Sequence, residues 1–185
     1  MARTESTSKA LVSVRLVVCA LLCSAMFLQI AGCGYRLAGS GGSSITSGQS
    51  IWVSFIRNES SSSTAQTVLR RALLEESHQL RGLVPAASES VADLMVSGTL
   101  RSYSSKAVSY AADDRVREYR LAIDVELEMK RKGETVPLWK GRLQSYQDFP
   151  AADNLALQRN AEEAALAAAS RKVAQKLLTA VEQAY

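Results

Sequence analysis

Apolar and polar residues alternate through the middle of the chain, and this alternation predicts β-strands. Between residues 119 and 130 the odd positions are apolar, while the even positions are mostly charged. A period of two sustained over six repeats is typical of a strand with one buried face and one solvated face. The segments 94–101 and 139–149 show a similar parity, and Asp113-Asp114 and Lys132-Gly133 supply turns on either side of the central strand. We therefore predict a meander of three strands, in which 103–110 extends the first strand and Gly98 is a candidate β-bulge.

A helical period lies on both sides of the meander. Apolar residues in segment 64–81 follow the spacing of one helix face, after a run of four serines that can cap a helix. Gly82 and Pro85 are typical of residues that follow a helix end. A longer helix is expected to begin after a cap at Asp153 or Asn154 and to continue to about residue 184.

A β-branched and aromatic run at residues 51–56 precedes the first helix and predicts a buried strand. The resulting order is β-α-β-β-β-α. This order predicts an α+β fold, a two-layer sandwich in which a four-stranded mixed sheet carries two helices on one face. The other face of the sheet is expected to remain open.

The first 32 residues have the pattern of a lipoprotein signal peptide. Three basic residues precede an apolar run over 16–30, which is shorter than the roughly 20 apolar residues of a membrane-spanning helix. The run ends in Ile30-Ala31-Gly32-Cys33, which resembles the lipobox of bacterial lipoproteins. In that class the cysteine thiol receives a diacylglyceryl group, the peptide is cut before it, and the new amine is acylated, commonly with palmitate. We predict lipidation of Cys33; the alternative is an ordinary signal peptide or anchor in which Cys33 is incidental.

Two features beside Cys33 predict where the protein lies and how it is divided. Gly34 follows the cysteine, instead of the Asp that commonly retains enteric lipoproteins at the inner membrane, and this favours the periplasmic face of the outer membrane. Residues 38–50 are nearly all Gly and Ser, a composition typical of a flexible linker. The predicted division is a signal peptide (1–32), a lipidated anchor with its linker (33–50), and a periplasmic domain (51–185).

Composition and residue counts argue against catalysis. The net charge is +4, and removal of residues 1–32, with three basic residues and one acidic, leaves +2, so a nucleic-acid partner is not expected. The mature chain would retain one cysteine, Cys33, with its sulfur alkylated. His78 is the only histidine, which disfavours zinc sites and catalytic triads. We expect no metal, no cofactor and no enzymatic activity.

Several short motifs together resemble the LptE family of lipopolysaccharide-assembly lipoproteins. They are Cys33-Gly34-Tyr35-Arg36-Leu37 after the lipobox, Glu118-Tyr119 at the start of a strand, and the order of the elements. The resemblance implies a protein that binds lipopolysaccharide (LPS) and plugs the LptD outer-membrane β-barrel. The chain departs from better-known members in its Gly/Ser linker and in lacking a polar C-terminal tail, so its partner contacts are expected to differ in detail from theirs.

Four basic residues are candidates for LPS phosphate contacts, because Arg and Lys recognise phosphate. They are Lys106, Arg115 and Arg117 around one turn, and Arg159 early in the last helix. The alternative is that all four are ordinary surface charges. Tyr103 and Tyr110 could pack within the loop or contact lipid or barrel. An auxiliary adaptor lipoprotein of another envelope lipid-transport system is the alternative function.

Overall fold

The alternating segment 119–130 lies in a long central strand, as its pattern predicts. A computed structural model describes residues 45–184. In chain order the elements are β1 (Ser50–Val53), β2 (Arg57–Asn58), α1 (Ala65–Arg81), β3 (Val84–Pro85), β4 (Leu94–Tyr110), β5 (Val116–Arg131), β6 (Trp139–Pro150) and α2 (Leu155–Gln183), with a 3-10 turn at Glu89–Val91.

The strands form one mixed sheet in the order β3-β1-β4-β5-β6, and β2 pairs with β4 further along. β4, β5 and β6 are antiparallel neighbours, whereas β1 and β2 run parallel to β4. The predicted α+β sandwich with two helices is confirmed, but the sheet has six strands instead of four. The difference comes from segment 51–58, which pairs with β4 twice and is interrupted between the two pairings, and from the two-residue strand β3. Strands this short carry no periodic signal.

The odd residues of β5 form the floor of the core. Leu121, Ile123, Val125, Leu127 and Met129 are at most 2% exposed. Their register neighbours on β4 and β6 continue the same apolar layer, and residues of both helices complete one hydrophobic cluster above it. Each such side chain contributes about 1.5–3 kcal/mol on burial. The face assignment made from the alternation is therefore confirmed.

Gly98 does not form a bulge, contrary to the sequence prediction. It stays in register opposite Leu127, and the register shifts lie later, between Leu100 and Ser102 and again after Ala107. A Cβ at position 98 would lie 2.3 Å from the carbonyl oxygen of Glu126. Glycine is needed at this position because the neighbouring strand approaches closely.

Two of the predicted helix caps are present in the structure, and one is not. The Asn154 side chain accepts from the backbone N–H of Ala156 at 2.8 Å and so caps α2. Gly82 ends α1 in the left-handed conformation at φ 63°, as expected. The serine run does not cap α1: its N-cap residue is Thr64, which makes no side-chain cap bond, while Ser60 bonds back to Asn58.

The folded part begins inside the predicted linker. Ile45 is 4% exposed and belongs to the core cluster. The backbone N–H of Gly48 donates to Gly82, and Gln49 accepts from Val84, so this segment is tied to the end of α1. The signal peptide, Cys33 and the rest of the linker lie outside the described residues.

Candidate functional site

The ends of β4 and β5 form a hairpin, Ser102–Leu121, which we call the distal hairpin. Its turn is closed by the backbone N–H of Ala111, which donates to Arg115 at 2.7 Å, and by Asp114, whose N–H donates to Ala111. Asp114 has φ 61°, a left-handed conformation that Asp tolerates better than most residues. The turn predicted at Asp113-Asp114 is therefore confirmed.

The structure brings three of the four candidate basic residues to this hairpin. Lys106 lies opposite Arg120 in the register of β4 and β5, Arg115 lies in the turn, and Arg117 lies early in β5. The carbonyl of Arg117 accepts from the backbone N–H of Ala151, just before α2. The start of α2, which carries Arg159, is thus held at the same end of the domain as the distal hairpin.

The four side chains are all exposed, but they differ in how their charge is compensated. Arg115 forms an ion pair with Asp113, with Nε 2.6 Å from Oδ2. Lys106, Arg117 and Arg159 have no ion-pair partner within residues 45–184. Their positive charge is therefore available to an external anion.

Exposed apolar side chains lie at the same end of the domain as these cations. Val108 and Tyr110 belong to the distal hairpin and are 43% and 59% exposed, and Leu155 and Leu157 in the first turn of α2 are 65% and 60% exposed. An isolated exposed leucine or valine is ordinary on a protein surface. Their occurrence beside uncompensated cations makes this end suited to an amphiphile that carries anionic groups next to acyl chains.

The two ambiguous tyrosines have different roles. Tyr103 is half-buried against the core, and its hydroxyl donates to the Glu162 carboxylate of α2. Burial, with a further contribution from Glu162, raises the pKa of Tyr103 well above its ordinary value. Tyr103 is therefore a packing residue, whereas Tyr110 remains exposed.

The open face of the sheet carries cross-strand ion pairs that the sequence pattern did not reveal. Arg142 of β6 pairs with Asp124 of β5 at 2.6 Å, and Arg101 of β4 pairs with Glu126 at 2.7 Å. The hydrogen bond from Arg142 holds the pKa of Asp124 below its ordinary value. The charges at even positions of β5 predicted only a wet face, because the pairing depends on the register with β4 and β6. These cations are compensated, unlike Lys106 and Arg117 of the distal hairpin.

Three further observations concern classes of function. The region covered by the structure contains no group of three or more His, Cys, Asp or Glu side chains placed to hold a metal ion. His78 is exposed, and its Nδ1 lies 3.0 Å from the carbonyl oxygen of Leu83, just past the end of α1. Among residues 45–184, no helix has the length and apolar character needed to cross a membrane.

Solved structures with a similar fold come from several bacteria. A protein of Caulobacter crescentus CB15 superposes with a TM-score of 0.51 at 13% identity, covering 72% of this chain and 88% of that one. The protein CT253 of Chlamydia trachomatis gives 0.50 at 8% identity, covering 73% and 98%. Rare lipoprotein B of Shewanella oneidensis gives 0.47 at 17% identity, covering 70% and 91%. At these identities the first two similarities establish the fold alone.

The family follows from the sequence itself. The family model described as LptE, lipopolysaccharide-assembly, matches residues 48–181, which is nearly the whole described domain. The chain therefore belongs to the LptE family, and the resemblance found in the sequence is confirmed. No curated protein sequence matches the chain.

Proposed function

We propose that this protein is an outer-membrane lipoprotein, anchored through Cys33, that assembles with an LptD-like β-barrel and binds LPS. The observation that carries the proposal is the family match over residues 48–181. The leader and lipobox ending at Cys33 support the anchor, since two or more acyl chains hold a protein firmly at a membrane. The protein acts by binding and not by catalysis.

The distal hairpin is the LPS-binding end in this proposal. LPS presents phosphates beside acyl chains, and the hairpin presents the uncompensated Lys106 and Arg117 beside Val108 and Tyr110. Arg115 contributes less because Asp113 already pairs with it. Arg159 at the start of α2 completes the basic set. A charge-assisted contact between a side chain and a phosphate contributes about 1.5–3 kcal/mol when water is partly excluded.

The LPS part of the proposal is tested with a double charge reversal, Lys106→Glu with Arg117→Glu. Arg57→Glu with Arg171→Glu is the matched control, since both of its positions are exposed and it makes the same change in net charge. LPS pull-down at two ionic strengths should show weaker binding by the hairpin variant, with the larger loss at low salt, where electrostatics is less screened. Equal LPS binding by both variants and the wild type would show that Lys106 and Arg117 are ordinary surface charges.

The barrel part is tested by purification of the full-length protein from membranes in which an LptD-like barrel is co-expressed. We expect the barrel to co-purify with the wild-type protein, because apolar and shape complementarity stabilise a specific interface between two proteins. A wild-type protein that binds LPS but recovers no barrel would instead indicate an adaptor of another lipid-transport system.

A further inference from the structure

Within residues 45–184, one edge of the distal hairpin lacks a strand neighbour. β1 and β2 pair with β4 at residues 94–96 and 99–100, and the backbone N–H of Glu59 donates to the carbonyl of Leu100 at 2.9 Å. Beyond that point, within the described residues, the chain contributes one hydrogen bond to this edge, from the Ser61 hydroxyl to the carbonyl of Tyr103 at 3.5 Å. Pairing on this side of β4 therefore stops well before the strand ends at Tyr110.

The register shows which backbone groups point outward. From Ser102 to Ala107 the pairing with β5 proceeds without a shift. Backbone groups of alternate residues point to the same side of a strand, and the carbonyl of Tyr103 faces the β2 side. Ser105 and Ala107 therefore direct their N–H and C=O groups to the same open edge.

The opposite edge of the sheet is protected in a way that this one is not. On β6, Lys176 Nζ donates to the carbonyl of Gln144 at 2.6 Å, and Lys172 Nζ donates to the carbonyl of Tyr146 at 3.2 Å. Lysines along an edge strand oppose pairing with another chain. Segment 102–107 contains no proline, and its one lysine, Lys106, lies opposite Arg120 across the strand pair. One sheet edge is thus occupied by side chains, and the other keeps a short regular stretch open.

The ligand that satisfies alternating backbone donors and acceptors is an extended polypeptide. We propose that an extended segment of the barrel partner adds to the β4 edge at Ser102–Ala107, continuing the row that β1 and β2 begin. The identity of the partner rests on the proposed function. Acidic side chains in that segment would complement Lys106, Arg115 and Arg117. Pairing with a second copy of this chain is disfavoured, because it would bring those like charges together.

The test uses the full-length lipidated protein co-expressed with the LptD-like barrel, with Ser105→Pro as the variant and Ser105→Ala as the control. Proline removes the outward N–H and places its ring on the edge, which an unpaired edge position tolerates. Ser105→Ala keeps the N–H. We expect proline to weaken barrel association about tenfold, because it removes one hydrogen bond and obstructs its neighbours, while alanine leaves association unchanged. Thermal melts report whether each variant is folded.

A photo-cross-linking amino acid at position 105 gives a second measurement that does not depend on the proline variant. Mass spectrometry should map its product to one extended segment of the barrel, and the same probe at the exposed Arg171 of α2 should give no such product. Normal barrel recovery with a folded Ser105→Pro, or cross-links from position 105 to a second copy or to nothing, would overturn strand addition while leaving the proposed function intact. Failure of the wild-type protein to recover any barrel would overturn both.

Discussion

The hydroxyl of Tyr103 in β4 donates to the carboxylate of Glu162 in α2, and this bond joins the base of the distal hairpin to the last helix. The two residues are 59 positions apart in sequence. The bond lies between the packed core and the exposed end that carries Lys106 and Arg117. It therefore contributes to the position of the hairpin relative to the start of α2.

Replacement of Tyr103 by Phe should destabilise the domain by about 1.5 kcal/mol or more at neutral pH, because one half-buried hydrogen bond to a charged acceptor is lost. The pKa of Tyr103 is raised in the folded state, so its contribution is complete below the unfolded pKa of about 10 and is lost as the pH rises further. The difference in the free energy of unfolding between wild type and Tyr103→Phe should therefore decrease above pH 10 in urea titrations. Tyr110→Phe, at an exposed position, is the control. A gap that stays constant from pH 8 to pH 11 would mean that Tyr103 ionises equally in both states.

Val125 and Glu126 are adjacent in β5 but lie on opposite faces of the sheet. Val125→Asp places a carboxylate in the core and should cost about 3 kcal/mol or more. Glu126→Ala removes a partly exposed pair with Arg101 and should cost about 0.5 kcal/mol. Thermal melts of both variants compare the two faces directly, and similar losses would contradict the face assignment.

The stability that the ion pair between Asp124 and Arg142 contributes depends on pH. The bond from Arg142 lowers its folded pKa, so the stabilisation is present above the unfolded pKa of about 3.9 and is lost as the pH falls through the folded value. Asp124→Asn should be about 1 kcal/mol less stable at pH 7, a modest value because Arg142 is exposed to solvent. Below about pH 4 the difference should diminish. Glu163→Gln, on the exposed side of α2, is the control for loss of one carboxylate, and a pH-independent gap for Asp124→Asn would contradict the role given to the pair.

Cys33→Ser should leave an uncleaved precursor, because the lipoprotein signal peptidase acts on the lipidated cysteine. Gel mobility with and without globomycin, together with membrane fractionation, measures the processing. Cys23→Ser, inside the predicted signal peptide, should be processed normally. Normal maturation of Cys33→Ser would show that an ordinary signal peptidase cuts the chain.

The sequence by itself determined the features that depend on local periodicity and backbone preference. The buried face of β5 follows from alternation over one strand. The start of α2 follows from Asn154, whose side chain bonds to the first turn of the helix. The end of α1 follows from Gly82, which lacks a side chain and adopts the left-handed conformation. The leader and short motifs indicated the LptE family, which the family match confirmed. The four candidate basic residues were also chosen from sequence, and the structure brought Lys106, Arg115 and Arg117 to one hairpin.

The tertiary structure decided everything that depends on which strands become neighbours. The second pairing of segment 51–58 with β4, the burial of Ile45 and the close approach at Gly98 all join residues far apart in the chain, so no local pattern records them. The same reason applies to the compensated pairs of Asp124 and Glu126. It also applies to the difference between the two sheet edges. Lys172 and Lys176 lie in α2, about 30 positions further along the chain than the β6 carbonyls that they protect, while β2 ends too early to cover the edge at Ser105.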